Sequence, residues 1–201
     1  MKKIWAVICV LFLIPSVVRA ADPSIVFVNN LTDDIITNVL QSNDTQQEKF
    51  TRFKTAFEKA LDMKSIGQFV LGVYWRNASA DERQAFLNAF IDFTTKTWAD
   101  RFDLYTGQKI IFSGTRNAEG KNQLYVNSII ENNPPVDVVW RLKRTKSGDF
   151  KIIDIIVEGV SMAMSYRNEY SAFLQKNAGK LSVLTKQLEE KSADFKFTKD
   201  K

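Results

Sequence analysis

Hydrophobic positions recur along this chain with two different periods. The first half has a helical period. Leu31, Ile35 and Val39 fall four apart, with Ile36 and Leu40 beside them, which predicts a helix from Asp22 to about Gln41 with Pro23 in its first turn. Residues 42–44 are a polar break. Thr45 and Glu48 then form a capping box ahead of a second apolar face, Phe50, Phe53, Phe57 and Leu61. Asp62 or Ser65 caps the next segment, in which Ile66, Phe69, Val70, Val73 and Tyr74 keep helical spacing and Trp75 and Arg76 end the run. Gly67 and Gly72 interrupt it; each weakens a helix by about 1 kcal/mol and admits the close approach of a backbone or ligand. Ser79 and Glu82 form a second capping box. From there Phe86, Phe90, Phe93, Thr97, Arg101 and Leu104 trace one stripe, and Leu87, Ile91, Trp98, Phe102 and Tyr105 its neighbour. Together they predict a broad apolar face on a helix of roughly 27 residues, closed by Gly107.

The period then changes to two. Residues 109–113 read as a short strand and 117–120 as a turn. Leu124, Val126, Ser128 and Ile130 alternate with Gln123, Tyr125, Asn127 and Glu131. Beyond the Asn-Asn-Pro-Pro turn at 132–135, Val136, Val138, Trp140 and Leu142 alternate with Asp137, Val139, Arg141 and Lys143. Residues 147–149 turn again, and 150–157 are apolar on both faces except at Lys151 and Asp154. The short connections predict an antiparallel meander of four strands, and its apolar face must be covered by the preceding helices. Helical spacing returns after Gly159, with Met162, Tyr166, Tyr170 and Phe173 on one face. After Gly179, Leu181, Leu184 and Leu188 mark a last helix, and residues 191–201 a charged tail. The fold class expected is α+β, with helices packed on a twisted four-stranded antiparallel sheet.

Composition narrows the chemistry. Lys2 and Lys3 precede a short apolar run at 4–14, less than the about 20 residues needed to span a bilayer, and Val18-Arg19-Ala20 offers a small-residue cleavage site. Residues 1–20 are thus expected to be a cleaved export signal, followed by one domain over 21–190. Cutting there removes Lys2, Lys3 and Arg19, leaving 25 basic against 23 acidic side chains, a formal charge of +2 instead of +5. That is too little to indicate a nucleic-acid partner. Cys9 lies in the signal and the chain has no histidine. An exported domain without disulfides fits the periplasm. Thiolate and imidazole metal sites, Ser-His-Asp triads and Cys-His pairs cannot be assembled, so no metal and no cofactor is expected.

Two local patterns need weighing. Residues 114–121 resemble a phosphate-binding loop but have one residue too many between Gly114 and Gly120, and Asn122 where Ser or Thr is required. Asp137 and Asp154, with Tyr74, Tyr105 or Tyr166 as donors, are the remaining acid–base option, an Asp/Tyr cavity enzyme. Strand carboxylates are more often solvated or paired with arginine, so no catalytic residue is assigned.

Four segments carry a resemblance: VLGVYWRNAS at 70–79, ERQAFLNAF at 82–90, RFDLYTG at 101–107 and EGVSMAMSYRNEY at 158–170. In this order and spacing they resemble the toluene-tolerance (MlaC) family of periplasmic phospholipid-binding proteins. The resemblance implies helices on a twisted antiparallel sheet that enclose an apolar cavity, akin to nuclear-transport-factor-2-like folds. It also implies a carrier, not an enzyme, located in the periplasm. Its partners would be phospholipid, an inner-membrane MCE-domain ABC transporter and an outer-membrane lipoprotein–porin complex. A related branch implies hopanoid cargo as the alternative. The family's pocket wall carries over to Val73, Tyr74, Trp75, Val160 and Met162. Periodicity adds Phe69, Val70, Phe102, Tyr105, Val138 and Trp140, and Tyr166 shares the face of Met162. Arg76, Arg83, Arg141 and Arg167 are candidates for the pocket rim, because guanidinium suits phosphate oxygens.

Overall fold

The computed structural model describes residues 22–103, 105–118 and 122–195. The expected export signal, Leu104 and residues 196–201 of the expected tail lie outside them. Helix α1 (Pro23–Ile35) runs on through one π-helical turn (Ile36–Leu40). Asp22 caps it, accepting from the Ser24 amide at 2.9 Å, and its other oxygen accepts from Thr115 Oγ1, which ties α1 to the sheet. Helix α2 (Gln46–Ala60) opens on the Thr45/Glu48 capping box. Asp62 caps α3 (Met63–Leu71) by accepting from the Ser65 amide. The segment expected as one interrupted run is two helices, because Gly72 takes φ +55 and ends α3 before α4 (Val73–Asn77). Helix α5 (Ala80–Asp103) starts at the Ser79/Glu82 box and holds 24 of the described residues, and Tyr105 and Thr106, ahead of Gly107, are no longer helical.

Strands β1 (Ile110–Asn117), β2 (Gln123–Ile130), β3 (Val136–Arg144) and β4 (Phe150–Val157) form the expected meander, β1 running past residue 113. The sheet has five strands, not four. Glu158 and Gly159 both take positive φ, 50° and 75°, and turn the chain in two residues, so β5 (Val160–Ser161) pairs with the end of β4. A two-residue strand has no periodicity to read. Helices α6 (Met162–Lys176) and α7 (Leu181–Ala193) follow; the first three residues of the expected tail are still helical, and Ser192 is buried.

Leu124, Val126 and Ser128 of β2 pair across with Leu142, Trp140 and Val138 of β3 on the covered face. The register shifts at Phe112/Gly114 in β1 and at Arg141/Leu142 against β4, where Ser113 and Ile153 are the extra residues. Such bulges bend a strand and sharpen its twist, curving the sheet. The outer edge of β4 is covered at one end by β5 and at the other by Leu61, with the Asp62 amide donating to Ile152 O at 2.9 Å. Helix α5 lies against α2, α3 and α7, and α6 packs on α3 and β4.

Candidate functional site

The curved sheet and the C-terminal half of α5 do not close on each other. Between them is a cavity of about 290 Å³. Its floor is Val138 and Trp140 of β3 with Ile155 and Val157 of β4, flanked by Ile110, Ile130 and Val136. Trp98, Arg101 and Phe102 of α5 form its roof, Tyr105 and Gln108 continue it, and Thr32 and Ile36 close the end beneath α1. The indole of Trp140 donates to Ser128 Oγ at 2.9 Å, and that hydroxyl donates to Val138 O at 3.1 Å. With its polar atoms satisfied behind it, the floor presents hydrocarbon to the cavity.

A second cavity, about 390 Å³, adjoins the first and shares Trp98, Arg101, Ile155 and Val157 with it. Its other walls are Val160 of β5 and Met162, Ser165, Tyr166 and Glu169 of α6. The Trp98 indole donates to Met162 Sδ at 3.0 Å, and the Arg101 guanidinium lies 5.2 Å from the centre of the Trp98 ring. Burial pushes the Tyr166 hydroxyl up, against the opposing pull of the Arg101 charge, so the phenol stays neutral. Among the described residues lining the two cavities, Arg101 is the one cation and Glu169 the one acid. Larger depressions of about 660 and 780 Å³ lie elsewhere, lined by Arg144, Lys151 and other charged side chains.

The structure brings together seven of the candidate residues. Phe102, Tyr105, Val138 and Trp140 line the first cavity; Val160, Met162 and Tyr166 line the second. The five from α3–α4 line neither. Val70 and Trp75 are buried in packing between helices, Phe69 and Val73 are exposed, and Tyr74 lies against Gly179. The four arginines are also elsewhere. Arg83 donates to the carbonyls of Trp75 and Arg76 at 2.8 and 3.2 Å, holding the end of α4, where Arg76 is exposed. Arg141 alternates with Trp140, so it points to the opposite face of the sheet, where it donates to Gln123 Oε1 and covers Tyr125. Arg167 donates to Phe69 O at 2.6 Å and packs on Gly72. The cation at the cavities is Arg101, a charge inside the apolar stripe of α5; that misfit with the helical period was the signal for it.

The two candidate carboxylates line neither cavity. Asp154 is buried and accepts from Ser161 Oγ at 2.5 Å and from the Ala163 amide at 2.9 Å, fastening β4 to the first turn of α6. Asp137 is exposed, between the inward Val136 and Val138. Among the described residues no group of three or more His, Cys, Asp or Glu side chains converges, and no helix is long and apolar enough to cross a membrane.

The fold resembles that of a phospholipid-binding protein from Ralstonia solanacearum, solved in complex with a phospholipid. The TM-score is 0.75 at 23% identity, over 86% of this chain and 98% of that one. Over 142 residues the chain is 27% identical to the intermembrane phospholipid transport system binding protein MlaC of Haemophilus influenzae. That stretch covers 68% of this chain and 65% of the relative, just under two thirds of its length. The model of the family described as MlaC protein matches residues 28–190, most of the sequence. The chain belongs to the MlaC protein family.

Proposed function

We propose that this chain is a periplasmic phospholipid carrier. In this reading it passes lipid between an inner-membrane MCE-domain ABC transporter and an outer-membrane lipoprotein–porin complex, and so maintains the lipid asymmetry of the outer membrane. The observation that carries the proposal is the pair of adjoining cavities roofed by α5, the first walled mainly by hydrocarbon and both bordered by the cation Arg101. Family membership and the names of the two relatives support the choice of phospholipid.

The energetics favour an enclosed site. A buried methylene is worth about 0.8 kcal/mol, so two chains of about 16 carbons represent on the order of 25 kcal/mol held in a bilayer. A shallow groove that recovers half of this cannot compete with the membrane; a cavity that surrounds the tails can. The first cavity alone stands at the low end of the roughly 300–1,000 Å³ common for ligand pockets, so a two-tailed lipid draws on both. Arg101, exposed where the two cavities adjoin, offers a fork of donors that suits a headgroup phosphate. Release requires a partner that favours the empty form.

The test is organic-solvent extraction of protein purified from the periplasm, read by mass spectrometry. Phospholipid close to one per protein is the expected result. Protein that carries no lipid would overturn the carrier reading, and hopanoid in the extract would replace phospholipid as the cargo.

A further inference from the structure

The wall shared by the two cavities is held unevenly. Ile155 and Val157 are fixed by the ladder to β3, paired with Trp140 and Val138. Trp98 comes from α5 on the other side, and its indole N–H is tied to α6 only through Met162 Sδ at 3.0 Å. A thioether is a weak acceptor on a flexible side chain. Trp140 is the contrast: its indole donates to a hydroxyl that is itself bonded to the backbone. Trp98 and Met162 are both buried, and Trp98 lines both cavities, which sets the indole on the boundary between them.

We propose that the Trp98 indole, latched to Met162, is a partition that sets the length of acyl chain the site accepts, a specificity-determining residue of the carrier. The proposal rests on the carrier reading. With the latch closed, a tail that enters from the β5–α6 side ends against the ring. With the ring turned aside or removed, the two cavities become one longer channel and the same tail extends beneath α5 toward Phe102 and Ile36.

Calorimetric titration with a ladder of saturated single-chain alkyl phosphates of increasing length tests this. For the wild-type chain, affinity is expected to rise about fourfold per added methylene, the ratio that about 0.8 kcal/mol corresponds to, and then to level off where the tail meets the ring. In Trp98→Ala the rise is expected to continue beyond that length. Met162→Leu, which keeps the volume but removes the acceptor, should level off between the two. Circular dichroism checks the fold of each variant; if Trp98→Ala is unfolded, Trp98→Phe, with a smaller ring and no N–H, takes its place with the same expected direction. A plateau at the wild-type length in the folded variant overturns the partition and leaves the carrier standing. Failure of the wild-type chain to bind any member of the ladder overturns both.

Discussion

The two halves of α5 meet aromatic surroundings of similar composition, and one half is solid where the other is hollow. In the N-terminal half, Phe86 and Phe90 stack with centroids 5.5 Å apart, and Tyr170 meets them edge-on at 6.3 and 6.2 Å. Gly67 brings α3 so close that a Cβ there would lie 2.6 Å from Leu87 Cδ2. Toward the C-terminus, Trp98 and Phe102 face Trp140 across open space. Each half even carries an arginine over a tryptophan, Arg83 on Trp75 at 5.4 Å and Arg101 on Trp98 at 5.2 Å. The difference lies in what stands opposite. Gly67 of α3 and Tyr170 of α6 come directly against the side chains of α5, whereas the sheet opposite is bent at its bulges and leaves a gap. Aromatic density alone therefore does not announce a cavity; the curvature of the facing element does.

Alanine at matched positions tests this contrast most severely. Phe90→Ala, in the solid half, is expected to cost about 3–5 kcal/mol, since it adds a cavity to the loss of burial. Phe102→Ala removes a half-buried ring that already borders a void, so its cost should stay at about 1–2 kcal/mol while alkyl-phosphate affinity falls several-fold. Urea unfolding measures the first pair of numbers and titration the last. Equal costs at the two positions would mean that the C-terminal half is as tightly filled as the N-terminal half.

Asp154 marks the seam on the hollow side. Asp154→Ala leaves the Ser161 hydroxyl and the buried Ala163 amide without their acceptor, for an expected loss of about 2–3 kcal/mol in urea unfolding. Because those bonds position β5 and the start of α6, it should also weaken alkyl-phosphate binding through Val160 and Met162. Asp154→Asn keeps one acceptor oxygen and should lose about half as much. If stability falls and binding does not, the second cavity takes no part in holding the tail.

What the sequence made legible follows the same division. Both capping boxes, the Asp62 cap and the alternation of β2 and β3 lie where local chemistry placed them, and the four motifs identified the family. The hollow did not announce itself, because an apolar stripe at helical spacing reads the same whether the facing residues touch it or stop short. Phe102 and Phe69 were equal candidates by period, yet one lines the cavity and the other is 39% exposed on α3. The extra residue Ile153, which shifts β4 and turns both Ile152 and Ile155 toward the covered face, sits among isoleucines beside Asp154 with no glycine or proline to flag it. Arg101 was readable as a misfit, but a charge within an apolar stripe does not say which void it borders.

Gly67 gives a finer probe of the solid half. Gly67→Ala gains helix propensity of about 1 kcal/mol, but its methyl group presses on Leu87, and overpacking of this kind costs about 1–3 kcal/mol. A net loss of about 1 kcal/mol in thermal unfolding is expected, with alkyl-phosphate binding unchanged. A stabilised variant would show that Leu87 has room to move, and that the interface of α3 with α5 is looser than its spacing implies.

The smallest effect concerns the anchor of the solid half to the sheet. Asp62 caps α3, and its carboxylate accepts from Lys143 Nζ of β3 at 2.5 Å. Burial alone would raise its pKa, but the hydrogen bonds from Lys143 and from the Ser65 amide and hydroxyl, together with the Lys143 charge, outweigh it and hold the group below its ordinary 3.8. A depressed folded-state value means that the carboxylate's contribution is complete above 3.8 and is lost as the pH falls through the lower value. Both side chains are partly exposed, so the contribution is less than about 1 kcal/mol and shrinks with salt. The gap in urea midpoint between the wild-type chain and Asp62→Asn is therefore expected to hold steady from neutral to about pH 5 and to narrow toward about pH 3. Alkyl-phosphate affinity should be the same in both, because Asp62 lines neither cavity. A gap that persists unchanged at the acid end would assign the anchor to the neutral hydrogen bonds of the cap. A change in affinity would show that the solid half transmits its packing to the hollow one.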